Sequence, residues 1–370
     1  MERRDFLKAN LAAVGGAMLG GCAAMKPKAA APGPALKEFA PGIKLGMRLR
    51  AKTRDADLQF MHQLGMRWCR LDIWPPDGGY DAMARIQERF EKNGIRIFTV
   101  AYGGMNHRSL LIGGPERDKK LDELGGFIRD LARLGIRVTD TSFCELHKGY
   151  NTYTTGFADM DGIETRIFDV AEYAKMDKPA EDRRWSAGEV REAFKYCMDR
   201  LLPIAEASGV RIAVHPDDPP IDEQAGIARI FHTYEQYREV FEMCPSPNLG
   251  VNFCVGTWGE AGPAAGKGVC EALRAFARQG RLIDGHFRNV RGTLPRFQET
   301  FIDNGDIDMQ AVMNTLVDVG FNGQIVPDHI PMFKLSRDGK DGFSPATTAG
   351  IAFSFGCMRT MLRNAERRKA

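Results

Sequence analysis

The sequence lacks several features that would assign the protein to a familiar class. No uninterrupted apolar run reaches the ~18 residues that a membrane-spanning helix requires. No stripe of Lys and Arg with interleaved aromatic residues occurs, and the net charge of the 370 residues is only +3, which argues against nucleic acid as a partner. No internal repeat is present. The 44% hydrophobic and 27% charged residues are ordinary values, so the composition is that of a globular protein.

The cysteines do not have the pattern of a disulfide framework. Eight occur at irregular spacing, and one of them, Cys22, falls in the N-terminal leader. Seven remain, an odd number that full pairing within the chain cannot accommodate. Six of these have apolar neighbours and are predicted to be buried thiols: Cys69, Cys144, Cys197, Cys244, Cys270 and Cys357.

The first 41 residues have the pattern of an export signal and a tether. Residues 2–8, Glu-Arg-Arg-Asp-Phe-Leu-Lys, resemble the twin-arginine motif, and a Gly- and Ala-rich stretch extends to residue 21. Leu19-Gly-Gly-Cys22 resembles a lipoprotein cleavage box, which predicts a lipid anchor on Cys22. The alternatives are a signal with a chance cysteine and an uncleaved amphipathic start. Residues 22–41 are rich in Ala, Pro and Lys and are typical of a tether. We therefore predict a periplasmic protein, exported by the twin-arginine route, with membrane contact only through that anchor.

Predicted strands and helices alternate eight times in residues 42–370. Short apolar runs such as Val210–Val214 predict buried strands, whereas longer segments such as 186–207, which opens at the capping residue Ser186, predict helices. This alternation predicts a single α/β domain, a (β/α)8 TIM barrel. A loop at 145–185 is unusually long, and we expect it to be functional or to carry structure of its own.

Four consecutive strands are predicted to end in residues that commonly bind metals. These residues are His215, Cys254, His286 and Asp328. Their spacing, ~30–40 residues, is about one β/α unit each. Strand alternation places each of them on the face opposite its apolar neighbours. Because the carboxyl ends of barrel strands meet at one rim, we expect the four side chains to converge there.

Two imidazoles, a thiolate and a carboxylate make a four-point cage for a divalent cation. Zn²⁺, Fe²⁺ and Mn²⁺ all fit by ligand type, whereas the sulfur argues against Mg²⁺ and Ca²⁺. A single His or Cys at a strand end is more often structural or part of the core. Four such residues at successive strand ends favour a metal site.

Several short motifs surround these residues: His215-Pro-Asp-Asp-Pro-Pro220, Asn252-Phe-Cys-Val-Gly256, His286-Phe-Arg288, Phe297-Gln-Glu299, Asn304-Gly-Asp-Ile-Asp-Met309, Pro327-Asp-His329 and, on the first strand, Met47-Arg48. They resemble segments of the mannonate dehydratases, a family of the xylose-isomerase-like barrel superfamily. The resemblance covers the chain from about residue 43 and is strongest from Val210 onward. It implies that the four strand-end residues bind Mn²⁺ or Fe²⁺, with Zn²⁺ as the alternative. It also implies a homo-oligomer.

The resemblance implies a hydro-lyase that removes water from a sugar acid, as in the conversion of D-mannonate to 2-keto-3-deoxy-D-gluconate. This reaction needs a base, an acid and a cation that polarises an oxygen atom. His329, next to Asp328, is the candidate acid/base. Arg48 and Arg288 are candidates for binding the substrate carboxylate, because a guanidinium group can donate two parallel hydrogen bonds to it. An internal ion pair is the alternative for both arginines.

Asp217 and Asp218 are candidates for accepting hydrogen bonds from sugar hydroxyls or for orienting His215, with loop capping as the alternative. Some groups depart from the family pattern. Val326-Pro-Asp-His-Ile330 replaces Arg-Pro-Asp-His-Gly, and Gly342-Phe343-Ser344 replaces Gly-Tyr-Ser, which removes a hydroxyl. An Asp-Trp-Thr-Arg segment after the fourth strand has no clear match in Asn151-Thr-Tyr-Thr-Thr155. The metal cage is thus retained while groups that contact substrate differ.

Two other functions remain open from the sequence. The first is a metal-dependent sugar isomerase or epimerase, which also needs a metal and a base beside a carbonyl group. The second is a sugar-acid-binding lipoprotein without catalysis, for which Phe343 is the main support.

Overall fold

The computed structural model describes residues 41–144, 154–179, 182–331, 333 and 345–370. The predicted signal peptide and lipid anchor, nearly all of the tether, and the Gly342-Phe343-Ser344 departure lie outside these residues, and so does most of the Asn151–Thr155 segment. The corresponding predictions therefore stay predictions.

Eight parallel strands close into a barrel in the spatial order β1-β14-β11-β10-β7-β4-β3-β2. This confirms the predicted (β/α)8 fold, and each barrel strand overlaps a strand expected from the sequence. Numbered along the chain, the barrel strands are β1 (Lys44–Arg50), β2 (Trp68–Ile73), β3 (Arg96–Tyr102), β4 (Val138–Thr141), β7 (Arg211–Val214), β10 (Leu249–Cys254), β11 (Leu282–His286) and β14 (Gln324–Val326).

The helices cover the outside of the barrel and connect its strands. In chain order they are α1 (Asp55–Gln63), α2 (Tyr80–Lys92), α3 (Arg108–Ile112), α4 (Arg117–Arg133), α5 (Val170–Met176), α6 (Ala187–Ser208), α7 (Tyr234–Met243), α8 (Val255–Ala261), α9 (Val269–Arg278), α10 (Met309–Asp318) and α11 (Pro345–Lys369). None of the described helices is both long and apolar enough to cross a membrane.

Local sequence signals explain where α6 begins and ends. Ser186 accepts a hydrogen bond from the backbone N–H of Glu189, and the Glu189 side chain accepts one from the backbone of Ser186. This reciprocal capping box satisfies two amide groups that the first helical turn leaves without partners. Gly209 ends the helix at φ +64°, a conformation that glycine adopts without a Cβ penalty. The chain then enters β7 directly.

A dense aromatic core lies between the barrel and the helices on the side of the predicted metal site. Phe253 of β10 packs against Trp258 of α8 with ring centroids 4.9 Å apart, and Tyr237 of α7 contacts Phe276 of α9 at 5.5 Å. All four side chains are almost completely buried. Because such a core is close-packed, it restricts the movement of the strand ends that it supports.

A second, antiparallel sheet of four strands in the order β12-β13-β6-β5 was not predicted from the sequence. Its strands are β5 (Gly156–Met160), β6 (Ile163–Asp169), β12 (Asn289–Thr293) and β13 (Arg296–Thr300). Phe168 and Phe297 are directly opposite in the β6–β13 register and stack with centroids 5.4 Å apart. The sheet therefore joins the long loop after β4 to the hairpin after β11. A two-stranded ribbon, β8 (Glu223–Gln224) with β9 (Ile227–Ala228), lies in the segment after β7.

None of the seven cysteines in the described residues takes part in a disulfide, as expected. Five are buried. Cys270 and Cys357 were also predicted to be buried, but the structure shows them partly exposed.

Candidate metal centre

The four predicted ligand residues converge at the carboxyl ends of four adjacent barrel strands. His215 directly follows β7, Cys254 ends β10, His286 ends β11, and Asp328 lies two residues beyond β14. One ligand-type atom of each lies within 4.8 Å of the others, and all four side chains are buried. A first-row cation lies ~2.0–2.3 Å from such ligands, so the separations fit one shared ion after small side-chain adjustments.

Contacts with neighbouring atoms orient the ligand group of each of the four side chains. The His215 ring has Nδ1 2.7 Å from the Pro216 carbonyl oxygen, and its Nε2 lies 3.0 Å from Nδ1 of His286. Asp328 places Oδ2 3.4 Å from the same His286 nitrogen. The Cys254 sulfur accepts a hydrogen bond from the backbone N–H of Thr257 at 3.5 Å. The local chain thus aims one atom of each residue at the same point.

The protonation states of these groups suit the capture of a cation. Burial lowers the pKa of His215 and lowers that of His286 well below its usual value, so both rings are neutral near pH 7. Burial alone would raise the pKa of Asp328, but His329, His286 and Arg48 outweigh it and hold the pKa well below its usual range. Burial raises the pKa of the Cys254 thiol. Two neutral nitrogens and a carboxylate are therefore ready to bind, and Cys254 must lose a proton to do so.

His329, the candidate acid/base, lies at the same rim and lines the cavity. Its Nδ1 lies 2.6 Å from Oε1 of Glu299, and its Nε2 lies 3.7 Å from Oδ2 of Asp328. Burial alone would lower the pKa of His329, but the Asp328 and Glu299 carboxylates outweigh it, so the pKa is raised. The ring is thus oriented by a carboxylate at one nitrogen and turns the other toward the metal cluster.

Arg48 bridges two carboxylates at the wall of the cavity. It donates to Asp328 Oδ1 at 2.5 Å and to Asp72 Oδ2 at 3.0 Å. Asp72 also accepts a hydrogen bond from Nε of Arg70 at 2.9 Å, and Arg70 contacts the His286 ring. The internal ion pair left open by the sequence is therefore present, yet the Arg48 side chain is also partly exposed to the cavity. It can contact a substrate while holding Asp328.

Arg288 is not among the described residues that line the cavity, and its role in binding the substrate carboxylate stays a prediction. Its side chain is 2% exposed and is paired with Glu260, a fully buried carboxylate on α8. It also donates to Asp218 at 2.8 Å and lies 3.3 Å from Asp328. The internal ion pair left open by the sequence is therefore present for Arg288, which lies among three buried or partly buried carboxylates.

Asp217 and Asp218 line the cavity, but each also braces the loop after β7. Asp217 accepts a hydrogen bond from the backbone N–H of Phe231 at 2.7 Å, and Asp218 accepts the one from Arg288. Loop capping, the alternative left open by the sequence, is thus present for Asp217, whereas Asp218 pairs with the Arg288 side chain. Neither carboxylate has a described hydrogen bond to the His215 ring.

Three residues of the metal cluster, His215, His286 and Asp328, line a cavity of about 470 Å³. This is the size of a small-molecule site. Polar side chains dominate its wall, including Arg48, Arg70, Asp72, Asp140, His215, Asp217, Asp218, His286, Asp328 and His329.

The sequence reasoning missed several residues that shape the site. Arg70 and Asp72 alternate with Cys69, Leu71 and Ile73 on β2, so the strand-phase argument applied to the four ligands would have placed them inside the barrel. Glu260 lies in a short helix that was not expected, and no local signal indicated that its carboxylate would face Arg288.

Comparison of the sequence with known proteins finds similarity to mannonate dehydratases. The model of the D-mannonate dehydratase (UxuA) family matches residues 172–368, more than half of the chain. The mannonate dehydratase of Thermotoga maritima is 27% identical over 290 residues, which cover 70% of this chain and 78% of the relative. Mannonate dehydratase 2 of Halalkalibacterium halodurans is 26% identical over 282 residues, with 70% and 79% coverage.

Solved structures place the fold in the same group. The crystal structure of mannonate dehydratase from Streptococcus suis serotype 2 superimposes with a TM-score of 0.77 at 23% identity, covering 89% of this chain and 96% of that one. A xylose isomerase domain protein from Planctomyces limnophilus superimposes with a TM-score of 0.57 at 14% identity, covering 89% and 99%. The fold is therefore that of the xylose-isomerase-like barrels. By the family match, the chain belongs to the D-mannonate dehydratase family.

Proposed function

We propose that the protein is a metal-dependent hydro-lyase that removes water from a sugar acid, with D-mannonate or a closely related aldonic or uronic acid as substrate. The observation that carries this proposal is the convergence of four ligand-type side chains beside His329 and Arg48. These are the groups that an elimination next to a carboxylate requires. Membership of the D-mannonate dehydratase family supports the same reaction class.

We propose that His215, Cys254, His286 and Asp328 hold the cation, with Mn²⁺ or Fe²⁺ as the native ion and Zn²⁺ as the alternative. The donor set fits these ions because it combines imidazole, carboxylate and sulfur. When bound, the cation supplies a positive charge that polarises an oxygen atom of the substrate.

Arg48 and His329 then bind the substrate and transfer the proton. Arg48 binds the substrate carboxylate, and its ion pairs with Asp72 and Asp328 hold the guanidinium in place. His329 carries the transferred proton at Nε2 while Glu299 fixes the ring through Nδ1. In the reaction, the C–H bond beside the carboxylate and the C–O bond of the next carbon break. His329 takes the proton of this C–H bond and delivers it to the departing hydroxyl, which leaves as water. The enol that remains moves its hydroxyl proton to the next carbon and becomes a 2-keto-3-deoxy acid.

Incubation with a panel of aldonic acids tests this proposal. The protein, loaded in turn with Mn²⁺, Fe²⁺ and Zn²⁺, should convert at least one acid to a 2-keto-3-deoxy product. His329→Asn should abolish turnover while retaining the metal. An aldose–ketose or epimer change without water loss would favour the isomerase alternative. Thermal stabilisation by an acid without any turnover would favour the binding-protein alternative.

We also propose that the mature protein is exported and attached to the membrane through Cys22. The twin-arginine and lipoprotein patterns of residues 2–22 support this location. Cell fractionation of the wild type and Cys22→Ala tests it. The wild type should appear in the membrane fraction and the variant in the soluble periplasmic fraction.

A further inference from the structure

The outer part of the cavity has a composition different from its metal-binding floor. Trp74, Arg50, Tyr102 and Asn106 line it there. Arg50 ends β1, two residues beyond Arg48, so its Cα lies ~7 Å farther along the strand toward the mouth. The cavity thus extends beyond the residues that have a role in the proposed reaction, and it has room for a further part of the substrate.

Arg50 differs from the other arginines of the cavity wall. Arg48, Arg70 and Arg229 each form an ion pair with a carboxylate. Within the described residues Arg50 has no carboxylate partner, and its guanidinium lies 5.8 Å from the centre of the Trp74 ring. A cation that faces a cavity without a counter-ion is suited to an anionic ligand.

Trp74 is also unusual, because 47% of this large apolar side chain is exposed. Its indole ring packs closely on the backbone of Gly103, where an added Cβ would collide with the ring. Neighbouring Tyr102 packs in the same way on Gly78, where an added Cβ would lie 2.6 Å from its ring. An exposed aromatic face is suited to the apolar C–H surface of a sugar.

We propose that Arg50 and Trp74 form an outer subsite for a second acidic group, so that the preferred substrate is a sugar acid with two carboxylates. Trp74 stacks on the carbon chain or ring, and Arg50 pairs with the carboxylate that is farther from the metal cluster. This inference rests on the proposed function for the orientation of the substrate. Two kinds of substrate carry such a second carboxylate. In a hexaric acid it lies at the far end of the reacting chain, and in the other kind it belongs to a uronic acid residue attached to an aldonate.

Calorimetric binding to the metal-loaded full chain tests the subsite, with His329→Asn present in every sample so that no probe is turned over. The probes are D-mannonate, the matching hexaric acid and an aldonate that carries a uronic acid residue. At least one diacid should bind ~10-fold more tightly than D-mannonate, as expected for one additional guanidinium–carboxylate pair. Tighter binding of the hexaric acid places the second carboxylate on the reacting chain, and tighter binding of the other diacid places it on the attached sugar.

Variants of the subsite supply the decisive comparison. Arg50→Gln should reduce the preference for the diacid at least ~5-fold. Arg96→Gln is the matched control, because Arg96 lies 5.5 Å from the Trp68 ring at the opposite end of the barrel. It should keep the wild-type preference. Trp74→Ala should weaken every probe, and Trp74→Phe should restore most of the loss.

Equal binding of mono- and diacids when Arg50 is intact would overturn the subsite, and so would a preference that Arg50→Gln leaves intact. Failure of the proposed function would give a different experimental result. Absence of any 2-keto-3-deoxy product when the wild type is incubated with all three probes would refute the dehydratase reaction, whereas a diacid preference that depends on Arg50 would still establish the subsite.

Discussion

Glu299→Gln is expected to lower kcat ~10–100-fold while KM changes less than about threefold. Glu299 lies 2.6 Å from Nδ1 of His329, and Glu299 is not among the described residues that line the cavity. Glutamine keeps an acceptor oxygen for the same contact but removes the charge. A hydrogen bond to a charged group contributes ~1.5–3 kcal/mol, and each ~1.4 kcal/mol of barrier is a factor of ten in rate.

The same variant should move the pH dependence of kcat. The Glu299 carboxylate favours the protonated imidazole, so its removal lowers the pKa of His329. The limb of the profile that reports His329 should therefore shift to lower pH, whether the ring acts as acid or as base.

The assay follows kcat and KM from pH 5 to pH 9, with metal content measured on each sample. Gln298→Ala is the control, because Gln298 lies on the same strand but donates to Thr165 instead. It should leave both parameters near the wild-type values. A Glu299→Gln enzyme with full metal content, unchanged kcat and an unshifted profile would refute the role of Glu299.

Three other predictions follow from the structure. Metal binding should release about one proton, because Cys254 has a raised pKa and binds as thiolate. The affinity for the metal should therefore rise up to ~10-fold per pH unit below that pKa. Calorimetry in buffers of different ionisation enthalpy measures the proton release, and a release near zero would contradict this role of Cys254. Arg48→Lys should raise KM ~10-fold or more, because lysine cannot bridge two carboxylates and also bind a third; steady-state kinetics tests it. Gly250→Ala should lower the free energy of unfolding by ~1–3 kcal/mol, because the added Cβ would collide with the Arg281 carbonyl oxygen. Gly126→Ala, on the open side of α4, is the control and should leave the free energy of unfolding unchanged or raise it. Denaturant unfolding measures both values.

The strand-end residues could be predicted because the signals are local and the barrel has a fixed polarity. The apolar run before His215 and the prolines after it define the end of β7 without any knowledge of the partners. A parallel barrel then brings every such end to one rim. The convergence of the four ligand residues follows from these two facts alone.

The ion pairs behind the ligands could not be predicted in the same way. Strand alternation correctly directs Arg288 toward the interior, but it does not distinguish the cavity wall from the packed layer behind it. That distinction depends on Glu260, whose position follows from the turn of the chain into α8 immediately after Cys254. Burial depth is therefore a property of the assembled fold.

The second sheet was missed for a related reason. The β13 strand has five residues and pairs with β6, which lies more than 120 residues earlier in the chain. Short strands at sheet edges carry weak periodicity, and their pairing depends on distant segments. Glu299, which lies on β13, could therefore be noted only by its resemblance to a family motif, and its contact with His329 was not expected.

The metal content of the purified protein tests the central claim most directly. After reconstitution, the wild type should retain close to one Mn, Fe or Zn per chain, and Cys254→Ala should lose most of it. Cys197→Ala is the matched control, because this thiol is equally buried but lies near the Leu110 carbonyl oxygen, outside the four-residue cluster. It should retain the metal. A wild type that binds no ion, or a Cys254→Ala variant that binds as much as the wild type, would contradict the account.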